Sequence, residues 1–165
     1  MESKNALRES LQKLRGLQCK EVKYGAGSGS VVRISFEHAS VNKNVLESSQ
    51  QNSDTSLRIQ VYCAWRIINH NKILASWRDI GSRDLILDGA FNSLFNQTVT
   101  DVFYDFKTND VCLTFKNGIT FNILCDISND EEADENYIFY AEEIIRYVDF
   151  KGEIGTEEYS AVKKN

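Results

Sequence analysis

Several features that mark enzymes and metal-binding proteins are missing from this sequence. Its 165 residues include no proline, four cysteines and two histidines. The cysteines lie far apart with no CxxC spacing, so the sequence indicates neither a zinc site nor a disulfide framework. It has no nucleophile elbow, no HExxH motif, and no cysteine or serine in a recognisable frame with a histidine. We therefore expect no catalytic residues, and the absence of proline by itself indicates no function.

Long apolar segments are also missing. The longest apolar runs, such as Val61–Ala64 and Ile119–Cys125, are far short of the ~20 residues that a membrane-spanning helix needs. The first residues, MESKNALRESLQKLR, lack the apolar core and the small-residue cleavage site of a signal peptide. We expect a cytoplasmic protein that binds no membrane. Its length and its 42% hydrophobic content suit one domain, residues 1–165, with a single buried core.

Two short segments resemble ligand sites but lack the context that such sites need. The glycine-rich turn at residues 25–29 precedes a strand pattern, whereas a phosphate-binding loop must open a helix. Residues 126–132 alternate as in a calcium-binding loop. However, the glycine at the sixth position is missing, and Tyr137 stands where a bidentate glutamate is required. The sequence therefore predicts no metal ion and no cofactor.

The net charge of −5 is unevenly distributed. Residues 1–60 carry nine basic and six acidic side chains, and residues 61–120 carry six of each. Residues 121–165 carry four basic and twelve acidic side chains, so this segment holds all the excess negative charge. Nucleic-acid binding requires a basic surface, and we expect no nucleic-acid partner. The gradient instead favours a basic protein partner.

The candidate partner-binding residues are mostly acidic. Six carboxylates lie within ten residues, which we call the acidic segment (residues 126–135): Asp126, Asp130, Glu131, Glu132, Asp134 and Glu135. Glu142 and Glu143 are predicted on the strand that follows. A solvated charge run that keeps the protein soluble explains the same residues. Trp65 and Trp77 each precede an arginine in a hairpin pattern. Each tryptophan could pack in the core, with the arginine stem over its ring, or anchor an interface. Trp77 is the candidate anchor.

A β-unit occurs twice in the chain. Leu14–Tyr24 and Leu94–Tyr104 match at a fixed offset, and both alternate apolar and polar residues with the period of a half-buried strand. The match continues through two further strands, pairing Val32, Ile34 and Phe36 with Val111, Leu113 and Phe115, and Leu57, Ile59, Val61 and Cys63 with Ile119, Phe121, Ile123 and Cys125. We predict repeats over approximately 14–77 and 94–140, with Cys63 and Cys125 as buried free thiols.

The predicted fold is α+β: a single domain of two repeated antiparallel β-units with an N-terminal helix and a linking helix. Helical spacing places the first helix at Ala6–Leu17 and the second at Ser82–Phe95. The strand pattern predicts hairpins at residues 19–36, 57–77 and 98–115, then strand-like sequence at Tyr137–Phe150. In the second hairpin, a strand from Leu57 to Ile67 is followed by a strand from Lys72 to Trp77. Residues 40–56 are predicted to form a long mobile loop and residues 152–165 a frayed tail.

One part of the pattern resembles a known group of proteins. The residues that carry it are Trp65-Arg66-Ile67, the return strand Ile73–Asp79, and Asn109–Phe115 followed by Asn117-Gly118. Together they resemble the small bacterial proteins encoded beside toxin domains in polymorphic-toxin and contact-dependent growth inhibition systems. In many of those proteins Glu-x-Trp closes the pattern, and Glu135-Asn136-Tyr137 stands in that place here.

This resemblance implies a cytoplasmic immunity protein that binds and neutralises one cognate toxin domain. Many intracellular toxins are nucleases with basic clefts, so an acidic surface could occlude such an active site. Two alternatives stay open on the residues alone: a structural or regulatory protein-binding module without a toxin, and an enzyme with an unrecognised site.

Overall fold

The computed structural model describes residues 2–24, 31–39, 56–80, 84–127, 135–141 and 143–158. All but the last residue of the predicted loop at 40–56, and most of the acidic segment, thus lie outside the described residues. The elements in chain order are α1 (Glu2–Gln12), β1 (Gln18–Lys23), β2 (Val32–Glu37), β3 (Leu57–Val61), β4 (Ala64–Asn69), β5 (Lys72–Ser76), a 3-10 turn (Trp77–Asp79), α2 (Asp84–Asn92), β6 (Val99–Tyr104), β7 (Val111–Phe115), β8 (Ile119–Leu124), β9 (Glu135–Ala141), β10 (Ile144–Asp149) and β11 (Ile154–Glu158).

The strands form two antiparallel sheets. One sheet has six strands in the order β1-β2-β3-β9-β10-β11, and the other has five in the order β5-β4-β8-β7-β6. The inner faces of both sheets and the apolar faces of α1 and α2 contribute to one buried cluster. The predicted α+β fold with an N-terminal helix and a linking helix is confirmed. No helix in the described ranges is long and apolar enough to cross a membrane.

The repeat extends to the connections between helix and strand. Gly16 N–H donates to Val99 O at 2.9 Å, and the counterpart Asn96 N–H donates to Cys19 O at 2.7 Å. Gly16 and Asn96 both have positive φ, +86° and +58°, the left-handed conformation that often ends a helix. Each unit then has a β-bulge at the same place, between Cys19 and Glu21 in the first and between Val99 and Asp101 in the second. The two units are therefore related by approximate two-fold symmetry where β1 meets β6.

The two units exchange hairpins between the two sheets. The sequence predicted one long strand from Leu57 to Ile67, and this prediction is wrong. The chain instead leaves the six-stranded sheet after Val61 and enters the five-stranded sheet at Ala64. There β4 pairs with β8 of the second unit, while β9, which follows β8, pairs with β3 of the first. Each sheet is thus completed by a hairpin from the other unit.

The C-terminal part of the chain also differs from the prediction. Residues 154–158, predicted within a frayed tail, form β11 and pair with β10 along its length. Their polar sequence gives no apolar alternation because both faces of this edge strand are largely solvated. Gly155 leaves room for the Tyr147 ring across the strand pair, since a Cβ atom there would lie 2.0 Å from that ring. Residues 159–165 lie outside the described residues.

Equivalent core positions should contribute similarly to stability. Ile34 on β2 and Leu113 on β7 are both fully buried at matching places. We expect Ile34→Ala and Leu113→Ala each to lower the free energy of unfolding by about 3 kcal/mol, through lost burial and a residual cavity. Val22→Ala should cost less, because Val22, which the alternation of Leu14–Tyr24 predicts to face the core, is only partly buried. Urea unfolding of the three variants measures this, and a loss below about 0.5 kcal/mol at Ile34 or Leu113 would contradict the alignment of the units.

Candidate partner-binding surfaces

The two ends of the acidic segment are fastened together. Asp126, just after β8, donates its backbone N–H to Asn136 Oδ1 at 2.9 Å, and Asn136 Nδ2 donates to Asp126 O at 2.9 Å. Asp126 is exposed and Glu135 is half-buried at the start of β9. Asp126 and Glu135 are therefore held close together at the two ends of the segment, and we call these two residues its base. Asp130, Glu131, Glu132 and Asp134, with Glu142, lie outside the described residues.

Glu143 does not belong to this base. It lies in the turn between β9 and β10, and not on a strand as the sequence predicted. Glu135 and Ala141 are at opposite ends of β9, which is about 20 Å long at a strand's rise per residue. Glu143 therefore lies apart from Glu135, beyond the other end of β9, and most of the carboxylates predicted to join them lie outside the described residues.

Asn136 is the centre of a buried polar network that the sequence analysis missed. Its side chain is fully buried, and Nδ2 also donates to Asp149 O at 2.8 Å. Its backbone oxygen accepts the N–H groups of Tyr62 and Cys63 at 2.9 and 3.1 Å. These are the residues at which the chain crosses between the sheets. Asn136 thus accepts hydrogen bonds from the N–H groups of Tyr62 and Cys63, which lie between β3 and β4 and belong to neither sheet.

Asn109 plays a related part beside it. This buried residue has a φ of +62°, a conformation that asparagine tolerates better than most residues. The Tyr104 hydroxyl donates to its Oδ1 at 2.7 Å, and its Nδ2 donates to Gly152 O at 3.0 Å. The Tyr137 hydroxyl donates to its backbone oxygen at 3.2 Å. The Asn109 contacts thereby tie the β6–β7 turn to the turn before β11.

This network is poorly suited to nucleophilic chemistry. Cys63 is a buried free thiol as predicted, whereas Cys125 is only partly buried. A hydrogen bond with Cys63, together with burial, raises the pKa of Cys125 far above its usual value. Burial raises the pKa of Tyr104 to about 12 and that of Tyr137 well above its usual value. These three groups are therefore protonated at neutral pH, and a protonated thiol or phenol is a weak nucleophile.

Two clefts in the described part of the molecule lack the residues that known kinds of active site require. One, of about 260 Å³, lies between β1 and α2 and is lined by Tyr24, Phe91 and Phe95 among others. The other, of about 240 Å³, lies between α1 and β10 and includes Ser10 and Arg146. Neither described lining contains a histidine or a pair of carboxylates. The described residues likewise contain no group of His, Cys, Asp and Glu side chains that could hold a metal ion.

A buried thiol makes a pH-dependent contribution to stability. Burial raises the pKa of Cys19 from 9.0 to about 12, so between these values the folded chain holds a proton that the unfolded chain has lost. The free energy of unfolding should therefore fall by about 1.4 kcal/mol per pH unit above pH 9 from this group. Urea unfolding at pH 8 to 11 measures the slope. The Cys19→Ala variant should have a shallower slope, and equal slopes would contradict the assignment.

The second candidate surface surrounds Trp77. This side chain is 40% exposed in the 3-10 turn after β5. The turn is held by Asp79, whose Oδ2 accepts from the Ser76 N–H at 2.8 Å and from Ser76 Oγ at 3.1 Å. The turn and β5 contact α2, and all three elements expose large apolar side chains. We call these side chains the Trp77 patch: Ile73, Trp77, Leu85 and Ile86.

The Trp77 patch and the base of the acidic segment lie at the same end of the five-stranded sheet. Ser76 on β5 pairs with Arg66 on β4, which in turn pairs with Asn122 on β8. Trp77 follows Ser76 directly, and Asp126 follows the end of β8. The topology therefore brings together two of the predicted partner-binding residues, Trp77 and Asp126, with Glu135 beside them through Asn136.

A scan of family models, a search of curated proteins and a search of solved structures each found no match for this chain.

Proposed function

We propose that this protein is an immunity protein that binds a cognate toxin domain, a basic nuclease, and neutralises it by covering its active site. The observation that carries the proposal is the acidic segment, in which six carboxylates lie between ends fastened at Asp126 and Asn136. A nuclease cleft is basic because its substrate is a polyanion. A dense row of carboxylates on a fixed base is complementary to such a cleft.

Charge alone does not account for tight inhibition. Charges at the edge of an interface chiefly raise the association rate, whereas slow dissociation requires buried apolar anchors. The Trp77 patch supplies such anchors at the same end of the sheet as Asp126. In the proposed complex the acidic segment steers the toxin, and the patch holds it. Both partners act in the cytoplasm, where an intracellular nuclease meets its substrate.

The proposal predicts that a toxin domain is encoded beside this protein, and expression of that domain tests it. We expect bacterial cells that produce the toxin domain alone to stop growing, and cells that also produce this protein to grow normally. The purified pair should form a complex that no longer cleaves nucleic acid. A complex without any toxic activity would instead support the alternative of a regulatory binding module. Toxicity that this protein does not relieve would refute the immunity proposal.

Charge reversal locates the interface. We expect replacement of Asp130, Glu131, Glu132, Asp134 and Glu135 by lysine to slow association with that toxin domain by a decade or more, because the steering field changes sign. Stopped-flow mixing at increasing salt measures the effect. The gap between variant and wild type should narrow as salt screens the charges.

A matched control changes the same amount of charge elsewhere. Its five lysines replace exposed glutamates on α1 and near β11: Glu2, Glu9, Glu153, Glu157 and Glu158. If only total charge matters, both variants will associate equally slowly. If the acidic segment is the steering surface, the control will stay close to the wild-type rate. A wild-type rate for the segment variant would move the interface to another surface.

A further inference from the structure

The approximate two-fold symmetry gives β5 a counterpart. The β4–β5 hairpin completes the five-stranded sheet beside β8, as the β9–β10 hairpin completes the six-stranded sheet beside β3. Trp65 is opposite Ile123 in one sheet, and Tyr137 is opposite Val61 at the equivalent place in the other. On this alignment Lys72 of β5 corresponds to Ile144 of β10, since each is the first residue after its hairpin turn. The strands β5 and β10 thus have equivalent places in the fold.

Only one of these two strands is covered. The outer edge of β10 pairs with β11, whereas β5 is an edge strand of its sheet among the described elements. This difference accounts for the six strands of one sheet and the five of the other. Among the described residues, the five-stranded sheet therefore has a vacant strand position equivalent to the one that β11 occupies in the other sheet.

The other sheet edges have side-chain contacts or paired acidic residues along them, whereas β5 has one exposed charge, Lys72, and a β-bulge at Leu74. At β6, Gln12 Nε2 of α1 donates to Val102 O at 2.7 Å, and at β1 the Tyr24 ring stacks on Phe91 of α2 at 4.3 Å. The edge formed by β11 carries exposed Glu157 and Glu158, and charged side chains deter strand addition. The β5 edge instead adjoins the Trp77 patch. An uncovered edge beside exposed apolar side chains is the arrangement that strand addition uses.

We propose that β5 accepts an antiparallel strand from a partner protein, with carboxylates facing Lys72 and an apolar side chain facing Trp77. In the occupied counterpart, Glu158 is opposite Ile144, which corresponds to Lys72. Ile154 is opposite Val148, which corresponds to Trp77 once the extra residue of the β-bulge in β5, Leu74, is counted. Lys72 and the neighbouring Arg66 are exposed, and neither forms an ion pair within the described ranges. An acidic–apolar strand therefore complements this edge in charge.

A second copy of this chain suits the edge less well. Antiparallel pairing of β5 with itself would bring Lys72, Arg66 and Arg78 of both copies to one place, and like charges there oppose association. The vacant position also exists whether or not the partner is a toxin. Growth protection and strand binding are separate measurements, so the two proposals can fail independently.

The test uses a synthetic peptide with the sequence of residues 152–158 as the probe. Titrated into the isotope-labelled full chain, it should shift the backbone amide resonances of residues 72–76 and the indole resonance of Trp77. A peptide carrying E157K and E158K should bind about tenfold more weakly, and so should the wild-type peptide to a Trp77→Ala chain. The matched control Phe103→Ala removes an exposed aromatic from β6, the opposite edge of the same sheet, and should leave binding unchanged.

Three results would overturn the proposal. Resonance changes confined to residues 144–148 would mean that the peptide only displaces β11. Equal binding of the lysine-substituted peptide, or no change at residues 72–76, would exclude an acidic strand at this edge. If the resonances of residues 72–76 shift when the protein concentration is raised in the absence of peptide, the strand position would belong to a second copy of this chain.

Discussion

Asn136→Ala is expected to lower the free energy of unfolding by about 4 kcal/mol, a large loss for an asparagine. The substitution removes three hydrogen bonds of a fully buried side chain, those to the backbone of Asp126 and Asp149. Each backbone group left without a partner costs about 1–3 kcal/mol when water cannot reach it. Urea unfolding followed by circular dichroism measures the loss. Binding should suffer too, because the acidic segment loses its fastened base.

Two further variants separate this explanation from a general loss of polar contacts. Asn122→Ala removes an asparagine of β8 whose side chain, among the described residues, bonds to the Thr120 hydroxyl alone. It should cost less than about 1 kcal/mol. Asn136→Asp keeps the shape but replaces the donor to two carbonyl groups by an acceptor, so it should be as harmful as alanine. A stable Asn136→Asp protein would show that the side chain is not the fastening group.

The hairpins could be predicted from sequence because their alternation is strong and occurs twice. Ile34 and Leu113, or Phe36 and Phe115, are apolar at equal steps from the turn, and their pairing follows. The crossing at Tyr62 and Cys63 could not be predicted. Residues Val61–Trp65 are apolar or aromatic throughout, since both the end of β3 and the start of β4 face the core. Periodicity cannot reveal where such a run passes from one sheet to another.

The surfaces were only partly predictable for a different reason. Trp77 was identified because a tryptophan before an arginine is distinctive, and its partial exposure fits an anchor. Asn109 and Asn136 were missed because asparagine is common in turns and its burial has no local signature. The one available signal was Asn109-Asp110 between two strands, a pair that is typical of an ordinary turn. The Trp77 patch itself depends on the approach of α2 to β5, a tertiary contact that no local pattern contains.

The exchange of hairpins makes the two units interdependent. Neither sheet is complete without a hairpin from the other unit, and Asn136 forms hydrogen bonds at the crossing points. Loss of either sheet would expose the inner faces of both, because one apolar cluster joins them. We therefore expect the domain to unfold in one step, although its sequence consists of two similar halves.

Trp65→Ala tests this interdependence and should cost about 3–5 kcal/mol. Trp65 on β4 is fully buried and packs against Phe91 of α2 and Phe121 of β8, with ring centroids 5.2 and 5.9 Å away. Truncation would leave a large cavity beside β4, the strand of the first unit that pairs with β8 in the five-stranded sheet. Trp77 then remains as the only tryptophan, so its fluorescence reports on the five-stranded sheet while circular dichroism reports on both. The two urea transitions should coincide at a lower midpoint.

The conservative variant Trp65→Phe separates packing from hydrogen bonding. The Trp65 indole nitrogen is buried and has no hydrogen-bond partner among the described residues, so replacing the indole sacrifices no polar contact. Phenylalanine keeps an aromatic ring against Phe121 and should cost only about 1 kcal/mol. If Trp65→Phe were as harmful as Trp65→Ala, the indole nitrogen would have to be bonded. If the two transitions of the alanine variant separated, the sheets would unfold independently, and exchanged hairpins would not be what joins them.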